Sequence, residues 1–142
     1  MAYRFVEDVS LADVAFEASA PSLEELLVEG AKATFETMVR LDGVEPKVVK
    51  KVRITAASAE QLFFRWIGEL VFLKDADELV FSRFAVKVTR KGKRFALEGQ
   101  AAGEKIDPAK HVLNVDVKAI TYHHFSVLET PQGWKAFVIL DI

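Results

Sequence analysis

The chain has 142 residues, of which 51% are hydrophobic and 28% charged, with a formal net charge of −2. That suits one domain with a sizeable core, and it lacks the overall basic footprint of a tight nucleic-acid binder. With no cysteine, disulfides, thiolate nucleophiles and thiolate metal sites are excluded.

The first residues, Met1 to Asp8, carry no apolar core or cleavage pattern of a signal peptide. No apolar run reaches the roughly 18 residues that a membrane span needs. A cytoplasmic domain with no membrane contact is expected. Tyr3 to Val6 and Val14 to Ala18 read as short strands, since their apolar side chains alternate with other types. Glu7 to Asp13 forms the loop between them, with Asp13 at the mouth of the second strand. Ser22 and Glu25 make a capping box that opens a helix. Leu23, Leu26, Leu27, Ala31, Thr34, Phe35 and Met38 then recur at helical spacing, and the helix should stop near Leu41-Asp42-Gly43.

Lys47 to Ala56 alternates as a strand with one face in solvent, its lysines keeping that face soluble. Ser58 and Gln61 cap a second helix whose apolar side is Leu62, Phe63, Trp66, Ile67, Leu70 and Val71. Gly68 weakens this helix and is expected to permit close packing on the sheet. The acidic stretch Asp75 to Glu78 reads as a solvated connection, lacking the glycine and distal glutamate of a calcium loop. Val80 to Thr89 and Phe95 to Ala101 form a hairpin with a basic tip, Arg90 to Lys93, where Gly92 can take a positive φ. Gly103 to Pro108 is expected to leave the sheet, and Pro108 to His111 to make one helical turn. Val115 to Glu129 reads as the longest β-like segment. Trp134 to Asp141 returns beside it after the turn Thr130 to Gly133.

This order predicts an α+β fold in which two helices pack in two layers on one face of a mainly antiparallel sheet, as a single domain over 1–142. No repeat or linker is visible.

No phosphate-binding glycine loop, nucleophile elbow or zinc signature is present. Of the three histidines, His111, His123 and His124, the adjacent pair should point to opposite faces of a strand and share no ligand. The carboxylates say more. Asp141 continues an otherwise apolar row on the last strand, beside the terminal carboxylate of Ile142. If the first loop approaches that end, Asp13 adds a third acid. A cation would relieve their repulsion, and oxygen-only donors favour calcium or magnesium over zinc. The competing reading leaves Asp13 as a turn residue and Asp141 exposed.

Taken together, several segments resemble the archease family across almost the whole chain. Ala12-Asp13 stands where the family carries His-Thr-Ala-Asp, and Ser22 to Glu25 opens the first helix. Asp77 to Phe81 and Phe84 to Val88 are similar to its middle, and Gly103 to Asp107 precedes Lys110-His111. Val117 to His123 is the most specific match, and the chain ends on the family's Asp-Ile. The resemblance implies a non-catalytic activator of an RtcB-type tRNA-splicing RNA ligase, one that promotes guanylylation and multiple turnover. It implies metal ligation by Asp13, Asp141 and the Ile142 carboxylate, with calcium expected and magnesium or manganese as alternatives. Tyr122 and His123 become candidate contacts near this corner. Ser10 and Leu11 replace the family's His and Thr, which changes what surrounds Asp13. Direct tight nucleic-acid binding is not expected, and the sequence sets no oligomeric state. The rival readings are a chaperone or oligomerisation modulator of a nucleic-acid-modifying enzyme such as a methyltransferase, and a stand-alone metal-dependent hydrolase. The second lacks a convincing base or nucleophile.

Overall fold

A computed structural model of the chain describes residues 1–7 and 13–142. In chain order the elements are β1 (Ala2–Val6), β2 (Asp13–Ala20), α1 (Leu23–Met38), a 3-10 turn (Leu41–Gly43), β3 (Val48–Ala56), α2 (Ala59–Asp77), β4 (Leu79–Lys91), β5 (Arg94–Lys105), β6 (Ala119–Ile120), β7 (Ser126–Thr130) and β8 (Gly133–Asp141). The strands form two antiparallel sheets. The larger runs β1-β2-β8-β6, with β7 also paired to β8, and the smaller runs β3-β5-β4. The expected α+β class stands, with the strands divided between two sheets rather than gathered in one.

Both helices begin where the capping chemistry places them. Ser22 Oγ accepts from the Glu25 N–H at 3.1 Å, and Ser58 Oγ from the Gln61 N–H at 3.1 Å. Gln61 Oε1 in turn accepts from the Ala57 N–H at 2.9 Å. α1 stops at Met38, earlier than expected, because the fully buried Val39 is extended and bridges Leu113. α2 continues through the acidic stretch that read as a connection. Asp75 and Asp77 pair with Lys74 and Lys50 there, and Glu78 ends the helix in the left-handed region at φ 54°.

The main core collects Phe16, Leu26, Phe35, Phe63, Trp66 and Phe81 from both helices and both sheets. Trp66 is fully buried and donates its indole N–H to the Leu27 carbonyl at 3.0 Å, tying α2 to α1. Close packing rests on Gly30 and Gly99, where an added Cβ would meet Phe63 and Trp66. Gly68, expected in that role, has nothing within 4 Å of an added Cβ. Gly103 does not leave the sheet. It lies opposite Phe81 beside a bulge in β4, where a Cβ would collide with the Val80 carbonyl.

The segment 115–129 is not one strand. Only Ala119–Ile120 and Ser126–Thr130 pair with β8. The Thr121 N–H and hydroxyl both donate to the Ile139 carbonyl, at 3.1 and 2.9 Å, and the chain then turns with His124 at φ 52°. Tyr122 stacks on Phe64 of α2, with centroids 3.8 Å apart and planes 3° from parallel, while Phe125 meets Phe64 edge-on. Docking of these rings on α2 takes the place of strand pairing. Upstream, the buried Lys74 ammonium binds Asp116 at 2.5 Å and the Val117 carbonyl at 2.8 Å, holding the approach to β6 against α2.

Urea denaturation should separate two of the glycines. Gly68→Ala should raise the unfolding free energy by about 1 kcal/mol, the helix-propensity difference with no clash against it. Gly103→Ala should lower it by several kcal/mol, since backbone rather than a movable side chain blocks the Cβ.

Candidate functional site

Strands β2 and β8 run antiparallel in a register that sets Asp13 opposite Asp141, Val14 opposite Leu140 and Phe16 opposite Val138. Phe16, Val138 and Leu140 enter the core, so alternation turns Asp13 and Asp141 to the other face together. Directly opposed residues hold their Cβ atoms roughly 5 Å apart. The two carboxylates thus come from ends of the chain far apart in sequence to one half-buried strand end. β6 fixes that end from the other side. Ala119 is the second partner of Asp141, and the Lys118 N–H donates to the Asp141 carbonyl at 2.8 Å.

Like charges placed opposite each other weaken a strand pair, and a cation between them reverses that effect. The donors are oxygens, which suit a hard divalent ion. Among the described residues no group of three or more His, Cys, Asp or Glu side chains could hold a metal. A cation at this corner would need further donors, and the sequence offers the carboxylate of Ile142, which is half-buried next to Asp141. Ser10 and Leu11 lie outside the described residues. A separate hollow of about 290 Å³ on the larger sheet is lined by residues including Arg4, Glu17, Leu128, Lys135 and Phe137, and it reaches neither aspartate.

The histidines divide differently from expectation. His123 and His124 do not point to opposite faces of a strand. They occupy the turn before β7, with ring centroids 4.1 Å apart. Tyr122 is 72% exposed on α2, so this stretch forms a surface aromatic group. The sequence signal for it was weak, because Phe64 falls beside the apolar stripe of α2 rather than on it.

His111 is buried and structural. Its Nδ1 accepts from the Asp107 N–H at 3.0 Å, which leaves Nε2 to donate to Glu104 Oε2 at 3.1 Å. Glu104 also accepts from Lys110 Nζ at 2.8 Å and from the Glu45 N–H at 2.7 Å. The Lys110 hydrogen bond, followed by those from Glu45 N–H and His111, holds the Glu104 carboxyl down at about 2. Glu45 is lowered by Lys110 as well, and Lys110 is raised by Glu104. This network pins the segment after β5. Its acids are committed to Lys110, His111 and the Glu45 N–H, and they act as anchors.

Comparison with known proteins bears on the whole chain. Residues 3–142 match the Archease protein family. "Protein archease" of Methanopyrus kandleri is 36% identical over 131 residues, covering 92% of this chain and 94% of that protein. Its counterpart in Sulfurisphaera tokodaii is 39% identical, over 92% of this chain and 93% of that one. The solution structure of Methanobacterium thermoautotrophicum protein 1598 superposes with a TM-score of 0.86 at 36% identity, covering 99% of this chain and 98% of that one.

The Glu104 network yields a pH test. A carboxylate whose folded pKa falls from the usual 4.5 to about 2 contributes stability that is complete above 4.5 and is lost as pH falls toward 2. Melting curves should therefore place Glu104→Gln below the parent protein at neutral pH, with the gap closing between pH 4.5 and 2.

Proposed function

Because the chain belongs to the archease family, we propose that it is a non-catalytic activator of an RtcB-type tRNA-splicing RNA ligase, acting through a divalent cation held at the Asp13–Asp141 corner. The observation that carries this reading is the register that sets the two aspartates opposite each other. The donor chemistry fits calcium, magnesium or manganese, with Asp13, Asp141 and the Ile142 carboxylate as the ligands. A bound cation would supply positive charge for a phosphate or carboxylate of the ligase site. The chain's own contribution is position. Val138 and Leu140 are buried in the core and β6 braces the strand end, so the carboxylates are held in place before any partner arrives. Such preorganisation adds to rate without moving the chemistry off the ligase.

Purified ligase, GTP and manganese, with and without this protein, provide the test. Asp13→Ala and Asp141→Ala should each abolish stimulation of ligase guanylylation while circular dichroism stays unchanged. Titration calorimetry with calcium should show binding to the parent protein and none to Asp141→Ala. Full stimulation by both variants would overturn the reading. It would favour a chaperone of a nucleic-acid-modifying enzyme, which requires binding but not the acids.

A further inference from the structure

The net charge of −2 averages over very unequal surfaces. In the smaller sheet, alternation sends Val52, Ile54, Leu97, Ala101, Phe84 and Val86 inward. The opposite face is open. The pairing registers place Lys51 beside Gln100 and Ala85, Arg53 beside Glu98 and Lys87, and Arg83 beside Ala102, with Lys91 beside Arg94 near the hairpin tip. Six cationic side chains, Lys51, Arg53, Arg83, Lys87, Lys91 and Arg94, thus share one three-stranded surface with a single carboxylate, Glu98. Glu98 pairs with Arg53 at 3.4 Å. Among the described residues no carboxylate pairs with the other five.

Like charges crowded on neighbouring strands repel, and a soluble surface normally intersperses the two signs. Here one sign dominates across all three strands. Between the cations, small side chains leave a hollow of about 420 Å³, bordered by Lys51, Arg53, Ala85, Lys87, Glu98 and Gln100.

We propose that this outer face of β3-β5-β4 binds the phosphate backbone of base-paired RNA. An acidic protein surface is the weaker match. Protein interfaces favour arginine but are depleted in lysine, and their arginines work alongside buried aromatic anchors. This face carries only alanines, threonines and, at its margin, Val49 between its charged and amide groups. Nucleic-acid interfaces are instead polar and strongly positive, and most of their contacts go to phosphates. Unpaired strands are usually held on aromatic platforms, and none lies here. A helical backbone, read by shape and charge, fits a face with cations and no rings. The contacts would be independent of sequence. The choice of RNA over DNA rests on the ligase role proposed above.

Fluorescence anisotropy of a labelled RNA hairpin, titrated with this protein alone across a salt series, tests the proposal. Because no ligase is present, failure of RNA binding leaves the ligase reading standing, and the guanylylation assay can fail without touching this one. Log affinity should fall linearly with log salt, with a slope of roughly −3 to −5 for a handful of phosphate contacts. Lys87→Gln should reduce the slope by about 1. The triple variant Lys51→Glu, Arg83→Glu, Lys87→Glu should lose binding with its circular dichroism intact, while Lys32→Glu on α1, off this face, should bind like the parent. Absence of binding at low salt overturns the proposal, as does parental binding by the triple variant. Tighter binding of an unpaired strand or of a DNA hairpin overturns the assignment to base-paired RNA. A triple variant that keeps RNA binding but no longer stimulates the ligase would assign the face to an acidic protein surface instead.

Discussion

Strand β8 has hydrogen-bonded neighbours on both edges, with β2 along one and β7 followed by β6 along the other. β2, β6 and β7 are registered directly against it, and β1 only through β2. A slip of one residue would exchange the faces of the whole strand, moving Val138 and Leu140 to the outside and Asp141 into the core. Burying that carboxylate among apolar side chains would cost free energy, and this penalty adds to the hydrogen bonds in fixing the register. Opposition of Asp13 and Asp141 follows from correct packing of the core, with no separate device required to bring the acids together.

The larger sheet ends in a pair of carboxylates, and the smaller one turns a cationic surface outward. Between them the helices provide polar links as well as apolar filling. Lys74 is the clearest case. Its ammonium is buried yet touches Asp75, Asp116 and a backbone carbonyl, so its charge is compensated where it lies. It joins a helix of the interior to the irregular segment that leads into β6, and hence to the acidic corner.

Features that depend on a few adjacent residues were legible in the sequence. The Ser22 and Ser58 caps and the Gly92 hairpin required only local chemistry, and each formed where it was expected. The α+β class followed from the order of such elements. Features set by partners far along the chain were less accessible. The meeting of Asp13 with Asp141 could be stated only as a condition, because no local pattern reports which strands pair. Val117 to Phe125 looked continuous because Val117, Ile120 and Phe125 suit a strand, but the stacking of Tyr122 on Phe64 is a tertiary contact. Gly68 attracted attention as a glycine in a helix, whereas the glycines that relieve crowding, Gly30 and Gly99, are recognisable only once Phe63 and Trp66 are placed over them. Alternation put Lys51 and Arg53 on one solvent face, read only as a soluble strand face, and the cationic surface emerges only when three strands are laid side by side.

The indole of Trp66 gives the molecule an optical gauge of its own. The chain has two tryptophans, Trp66 at the contact between the helices and Trp134 half-buried at the start of β8. Emission from the first is governed by a dry setting, a carbonyl acceptor on α1 and the close approach of Gly99. A soluble quencher can reach the second without disturbing the first. Separation of the helices and fraying of the last hairpin would therefore register as distinct spectral changes, letting the two regions of the fold be followed independently without an added dye.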